Sequence, residues 1–174
     1  MGLSFSKSFL KYELMKPQNL HLITRSQNKK EKIKSVFPES EVSSFDEVKN
    51  LEADLIIIAV KPQDFAFVAE NLTFKIPEKS LVLSIMAGIS IEKIQNYLNH
   101  KFVVRAMPNS PTLLGMGITG YTAAEGISFS ELMNVERLLN STGRSVYLED
   151  ESLLNGVTAL SGSGPAYFYY IIDA

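Results

Sequence analysis

Cysteine is absent from all 174 residues. Disulfides, thiolate metal sites and a cysteine nucleophile are thereby excluded, and the composition suits a reducing compartment. Histidine is scarce: His21 and His100 stand far apart, without metal-ligand spacing. His21, between Leu20 and Leu22, reads as a solvated strand position. No apolar run approaches the ~18–20 residues a membrane span needs, and no signal-peptide pattern opens the chain. A cytoplasmic protein with no membrane partner is expected. Net charge is −2, with no long block of either sign. The basic cluster Arg25, Lys29, Lys30, Lys32 and Lys34 is local, so nucleic-acid binding has no compositional support. Internal repeats and low-complexity tracts are also lacking.

What remains is an ordinary globular composition, 45% hydrophobic and 21% charged, long enough for one substantial core. Residues 2–15 carry Leu3, Phe9, Leu10 and Leu14 at helical spacing, and Pro17 ends that helix. Leu20 to Thr24 reads as a strand, followed by the polar loop Arg25-Ser26-Gln27-Asn28 and a lysine-rich helix from Lys29 to Val36. A short strand near Val42 precedes Ser44, whose spacing to Glu47 is that of a capping box opening a helix. Leu55 to Val60 is apolar without alternation, the pattern of a strand buried on both faces in a parallel sheet. A helix over residues 63–71, a strand over 81–85, a turn at Met86-Ala87-Gly88 and a helix opened by Ser90 follow.

The strand Phe102 to Ala106 gives way at Pro108 to an extended loop carrying Asn109, Ser110 and Thr112. Ile118 to Ala123 is a further strand. Ser128 and Glu131 form a capping box for a helix to Asn140, Gly143 is a candidate C′ residue, and Arg144 to Leu148 a last strand. Beyond Asp150 the chain turns helical, with a break at Ser161-Gly162-Ser163-Gly164-Pro165 before Ala166 to Ile172. Alternating strand and helix predict an α/β fold of Rossmann type, doubly wound with a mostly parallel sheet, followed by the start of an all-helical domain. The boundary falls at the end of the alternation, giving residues 1–149 and 150–174.

In such sheets ligands sit outside the carboxyl ends of the strands, so the loops there are the candidate site. After the Leu20–Thr24 strand stand Arg25, Ser26, Asn28 and Lys29, with no carboxylate before Glu31. That set suits the extra phosphate of NADP, although a solvated basic loop would look the same. Free amides at the helix resumed after Gly164 could face an anion such as a substrate carboxylate; a flexible hinge is the alternative. No Ser-His-Asp or Cys-His set is present, and no catalytic residue or metal ligand is identified.

Four stretches in order, Ala59-Val60-Lys61-Pro62, Ser84-Ile85-Met86-Ala87-Gly88, Arg105-Ala106-Met107-Pro108-Asn109 and Thr158 to Tyr167, resemble the signatures of pyrroline-5-carboxylate reductases. The resemblance runs from about Leu20 to the last residue, with Thr158–Tyr167 the most specific part. It implies reduction of a cyclic imine to proline by hydride transfer from NADPH, with NAD as an alternative cofactor and a small-molecule substrate. By the same resemblance Gly2 is the tail of a glycine-rich pyrophosphate turn whose first strand lies outside the sequence. Gly2 would equally be a residue behind an initiator methionine. Ala59, Val60, Lys61 and Pro62 would line the adenosine and its ribose, though Lys61 would equally cap a strand end. Ile85, Met86 and Ala87 would lie beside the nicotinamide ribose. Met107, Pro108 and Asn109 would frame the nicotinamide ring, and Ser161, Gly162, Ser163 and Gly164 would meet the substrate. Asp46 departs from the family's usual Asn. The C-terminal helices would build a homodimer or higher oligomer, so residues 150–174 read as the start of a dimerisation domain and 1–149 as a dinucleotide-binding domain lacking its first strand. The rival readings are another imine or ketone reductase of the wider group, and a nucleotide-binding or interaction module without turnover.

Overall fold

The computed structural model describes residues 1–72 and 75–173. Helix α1 (Gly2–Lys11) buries Phe5 and Phe9, one turn apart on a single face, with ring centroids at 5.9 Å. It is shorter than the expected 2–15, because Glu13 turns into the left-handed region at φ 54°. Strand β1 (His21–Thr24), helix α2 (Gln27–Val36) and strand β2 (Glu41–Ser44) follow, and β1 pairs with β2 in parallel. His21 is half-buried and bonds the Ser43 hydroxyl at 2.9 Å. No helix follows Ser44. Glu47 caps back onto the Ser44 amide at 2.7 Å, but a turn results. Lys30, and then that amide, draw the Glu47 carboxyl down to about 2.

A second sheet contains β3 (Leu55–Ile58), β4 (Leu81–Ser84), β5 (Val103–Met107), β6 (Gly117–Ala123) and β7 (Gly143–Tyr147), in that spatial order. β3, β4 and β5 are parallel neighbours, as expected, which sets their carboxyl ends on one rim. β6 runs antiparallel to β5, and β7 parallel to β6. One expectation fails at β3. It is the edge of this sheet, and Leu55, Ile56 and Ile57 are only half-buried, since no strand among the described residues pairs with its other edge.

The pleat of β4 divides the core. Leu81 and Leu83 face a cluster with Phe5, Phe9, Val104, Ala106, Tyr121, Val135 and Leu139, beneath α1 and α5 (Phe129–Asn140). Val82 joins Val103, Phe65, Ala69, Ile94 and Leu98 on the other side, beneath α3 (Phe65–Leu72) and α4 (Ile91–Leu98). A third cluster of Phe45, Val48, Leu51, Val68 and Leu72 receives both Ile23 of β1 and Ile56 of β3, holding the two sheets together without a ladder between them.

Ser128 caps α5 in a complete capping box with Glu131, as its spacing predicts. Gly143 does not end that helix but starts β7. Its φ of 144° and the approach of the Gly117 carbonyl, which would lie 2.0 Å from an added Cβ, leave room for glycine alone. The Ser161–Pro165 break is also absent. Helix α6 (Leu153–Val157), a π-helical stretch Thr158–Ser163 and α7 (Gly164–Asp173) form one continuous run, with Gly164 itself in the right-handed helical region. A proline ring collides with the carbonyl four residues back in a regular α-helix. The wider π turn ahead of Pro165 lets the helix continue through it.

Candidate functional site

The loops after β3, β4 and β5 share one rim, which gathers Ala59–Pro62, Ile85–Ala87 and Pro108–Asn109. Gly2, the first residue of α1, lies against the first of these loops: a Cβ on Gly2 would stand 2.9 Å from the Ala59 Cβ. Met1 offers no side-chain cap, so the first amides of α1 are left for another acceptor. Ala59, Lys61 and Pro62 are exposed. Val60 packs into the core between α3 and the sheets, so only its backbone is free for a ligand. Met86 is 1% exposed and locked into the cluster beneath α3 and α4, and Ile85 packs against the opposite cluster. Of that loop only Ala87 and the backbone remain available.

Arg25 follows the last residue of β1 and is exposed, as is Lys29 on the first turn of α2. Ser26 is the N-cap residue of α2, but its hydroxyl makes no capping bond. The Arg25 guanidinium does not stand alone. It donates to the Asp64 carboxylate at 3.2 Å and lies over the Phe67 ring at 5.7 Å. Asp64 closes the 3-10 turn Pro62–Asp64 that follows the β3 loop, so this pair ties the β1 and β3 loops together.

The β5 loop is tied to the C-terminal helical run. The Asn109 side-chain Nδ2 donates to the Ser161 hydroxyl at 2.9 Å, while its Oδ1 accepts from the Ile118 amide at 3.0 Å. Beside it, a Cβ on Gly162 would meet Cε of Met107 at 2.8 Å. Met107, Asn109, Ser161 and Gly162 are thus brought together, with Pro108 buried behind them. Gly164 is buried within its own helix, Ser163 is exposed, and the continuity of that helix leaves no free N-terminal amides at residue 164. The expected anion cradle there is absent. After Asn109 the chain closes into a 3-10 turn, Ser110–Leu114, in place of the expected extended loop.

A charged pair beneath this junction is not among the residues expected from the sequence. Arg105 in β5, 4% exposed, donates to Oε1 of Glu151 at 2.7 Å, and the same oxygen accepts from the Ile91 amide at the start of α4 at 2.9 Å. Glu151 therefore fastens the approach to α6 onto both the sheet and a helix. Arg105 was the available signal, a cation in an otherwise apolar strand that must find a carboxylate.

Residues 1–88 match the family of NADP oxidoreductases described as coenzyme F420-dependent. The class is thus that of Rossmann-type nicotinamide oxidoreductases. A pyrroline-5-carboxylate reductase of Aquifex aeolicus is 36% identical over 177 residues, covering 100% of this chain and 63% of that protein. The structure of the Coxiella burnetii pyrroline-5-carboxylate reductase superposes with a TM-score of 0.88 at 28% identity, over 99% of this chain and 64% of that one. The Plasmodium falciparum pyrroline carboxylate reductase, solved with NADP bound, gives a TM-score of 0.81 at 27% identity, over 99% and 63%. The chain belongs to the pyrroline-5-carboxylate reductase family. It spans less than two thirds of the length of each of these three relatives.

Proposed function

We propose that this chain carries the dinucleotide-binding part of an NADPH-dependent reductase that converts the cyclic imine pyrroline-5-carboxylate to proline. The observation that carries the proposal is the Asn109 bridge, which joins the rim of a Rossmann-type sheet to Ser161 and Gly162 in the helical run. Such a junction lies at the carboxyl ends of the strands, where this fold receives its ligands.

The donor set at the rim fits a nicotinamide dinucleotide. The uncapped start of α1 against Ala59 suits a pyrophosphate. Arg25, Ser26 and Lys29 offer a guanidinium, a hydroxyl and an ammonium for a ribose phosphate. Lys61 and Pro62 border the same end, and Met107, Pro108 and Asn109 the other. Bound there, the nicotinamide supplies the hydride. The protein orients and dehydrates, holding the imine face close and excluding water, and such reductions rest on that positioning. Asn109 has both ends of its amide engaged within the protein, so it acts as a positioning residue for Ser161 and the β5 loop. The proton for the ring nitrogen comes from solvent or a nearby hydroxyl.

The partners and location belong to the same proposal. Tyr167, Phe168, Tyr170, Ile171 and Ile172 of α7 are at least two thirds exposed, an apolar face that a second copy of the protein would cover. Among the described residues no helix is long and apolar enough to cross a membrane, and the lack of cysteine fits the cytoplasm. The test is NADPH oxidation by the full-length protein with pyrroline-5-carboxylate, alongside NADPH titration. Turnover with the imine supports the assignment. Nucleotide binding without turnover on it supports the rival binding module instead.

A further inference from the structure

We infer that Asp64 sets the cofactor preference of the Arg25 site, an inference that rests on the nucleotide-binding reading above. The Asp64 carboxylate, 3.2 Å from Nη1 of Arg25, occupies one bonding direction of the guanidinium that a phosphate oxygen would otherwise take. Both side chains reach solvent, Arg25 at 62% and Asp64 at 35% exposure, so the pair is open to exchange of partners. The Phe67 ring centroid lies 5.7 Å from the guanidinium carbon, within reach of a cation–π contact that does not depend on which anion Arg25 meets.

Two consequences follow from charge. A ribose 2′-phosphate carries between one and two negative charges near neutral pH, so on reaching Arg25 it displaces Asp64 and then lies beside a carboxylate of like sign. A nucleotide with a free 2′-hydroxyl meets no such repulsion. Its hydroxyl can donate to Asp64, the role an acidic residue plays for NAD at this end of the fold. Arg25 favours NADPH and Asp64 favours NADH, and the pair leaves the protein able to take either. The acidic residue that the loop after β1 lacks is supplied by the loop after β3.

The experiment measures dissociation constants of NADPH and NADH for the wild-type protein, Asp64→Asn and Asp64→Glu. Asp64→Asn should tighten NADPH about threefold to tenfold while NADH is unchanged or weakened. Asp64→Glu should keep the wild-type ratio. The gain for NADPH should shrink as salt is raised, as expected for exposed charges. Asp64 also precedes α3, and a loss of structure there would weaken both nucleotides by the same factor, which a selective gain for NADPH excludes. Equal changes for both nucleotides would overturn the inference while leaving the cofactor site standing. Wild-type protein that binds neither nucleotide would overturn the nucleotide-binding reading and the inference with it.

Discussion

Replacing Glu151 with alanine strands the Arg105 guanidinium inside the protein. Arg105 is 4% exposed, and its Nη1 donates to Glu151 Oε1 at 2.7 Å. Removing one partner of a fully buried pair costs about 3–5 kcal/mol. Here the Glu151 side chain is 31% exposed, so water can follow the truncation and recover part of that loss. The Ile91 amide, 2.9 Å from the same oxygen, loses its acceptor too, for about another 1 kcal/mol. Together these place Glu151→Ala at about 2–4 kcal/mol of lost stability. Glu151→Gln keeps an acceptor oxygen and should cost about 1 kcal/mol, the difference between a charge-assisted and a neutral bond. Urea unfolding followed by far-ultraviolet circular dichroism measures each variant, alone and with Arg105→Met. With the cation removed, Glu151→Ala should become distinctly milder, because no charge remains stranded. A loss under about 1 kcal/mol, or the same loss in both backgrounds, would refute the reasoning.

Three further outcomes are expected. Asn109→Ala removes the bond to Ser161 and the acceptor for Ile118; turnover with NADPH and the imine should fall about fivefold to thirtyfold, worth ~1–2 kcal/mol, with a smaller change in NADPH affinity. Gly143→Ala would set a Cβ 2.0 Å from the Gly117 carbonyl oxygen, and thermal unfolding should report more than about 3 kcal/mol lost or no soluble protein. Tyr121 is pushed up to about 12 from 10.0, first by burial and then by the neighbouring Glu136 carboxylate. The fold thus favours the neutral phenol; its contribution is intact below pH 10 and is lost as pH rises toward 12, and phenolate absorbance should show one of the seven tyrosines ionising last.

Much of the fold was legible because local rules and tertiary needs agree. Apolar runs at Leu55–Ile58, Leu81–Ser84 and Val103–Met107 are strands, and they lie side by side in parallel in chain order, as consecutive strands joined by helices commonly do. The Ser128–Glu131 box works as its spacing predicts. The same spacing at Ser44–Glu47 yields only a turn, because a capping bond stabilises a helix start without supplying the buried face that a helix needs.

The sequence by itself determined which residues form strands, which loops bear polar groups, and the family to which their ordered motifs point. Tertiary structure decided what those groups do. Whether Met86 faces a ligand or the core depends on Phe65 and Val82 beside it. Whether Ser161–Pro165 breaks a helix or passes through it depends on a π turn, a choice of hydrogen-bond partner that composition does not reveal. Arg25 meets Asp64 across 39 positions of sequence and Arg105 meets Glu151 across 46. Local pattern carries no information at that range: a charge states that it needs a partner, and only the folded chain, by closing loops around a common core, selects which one.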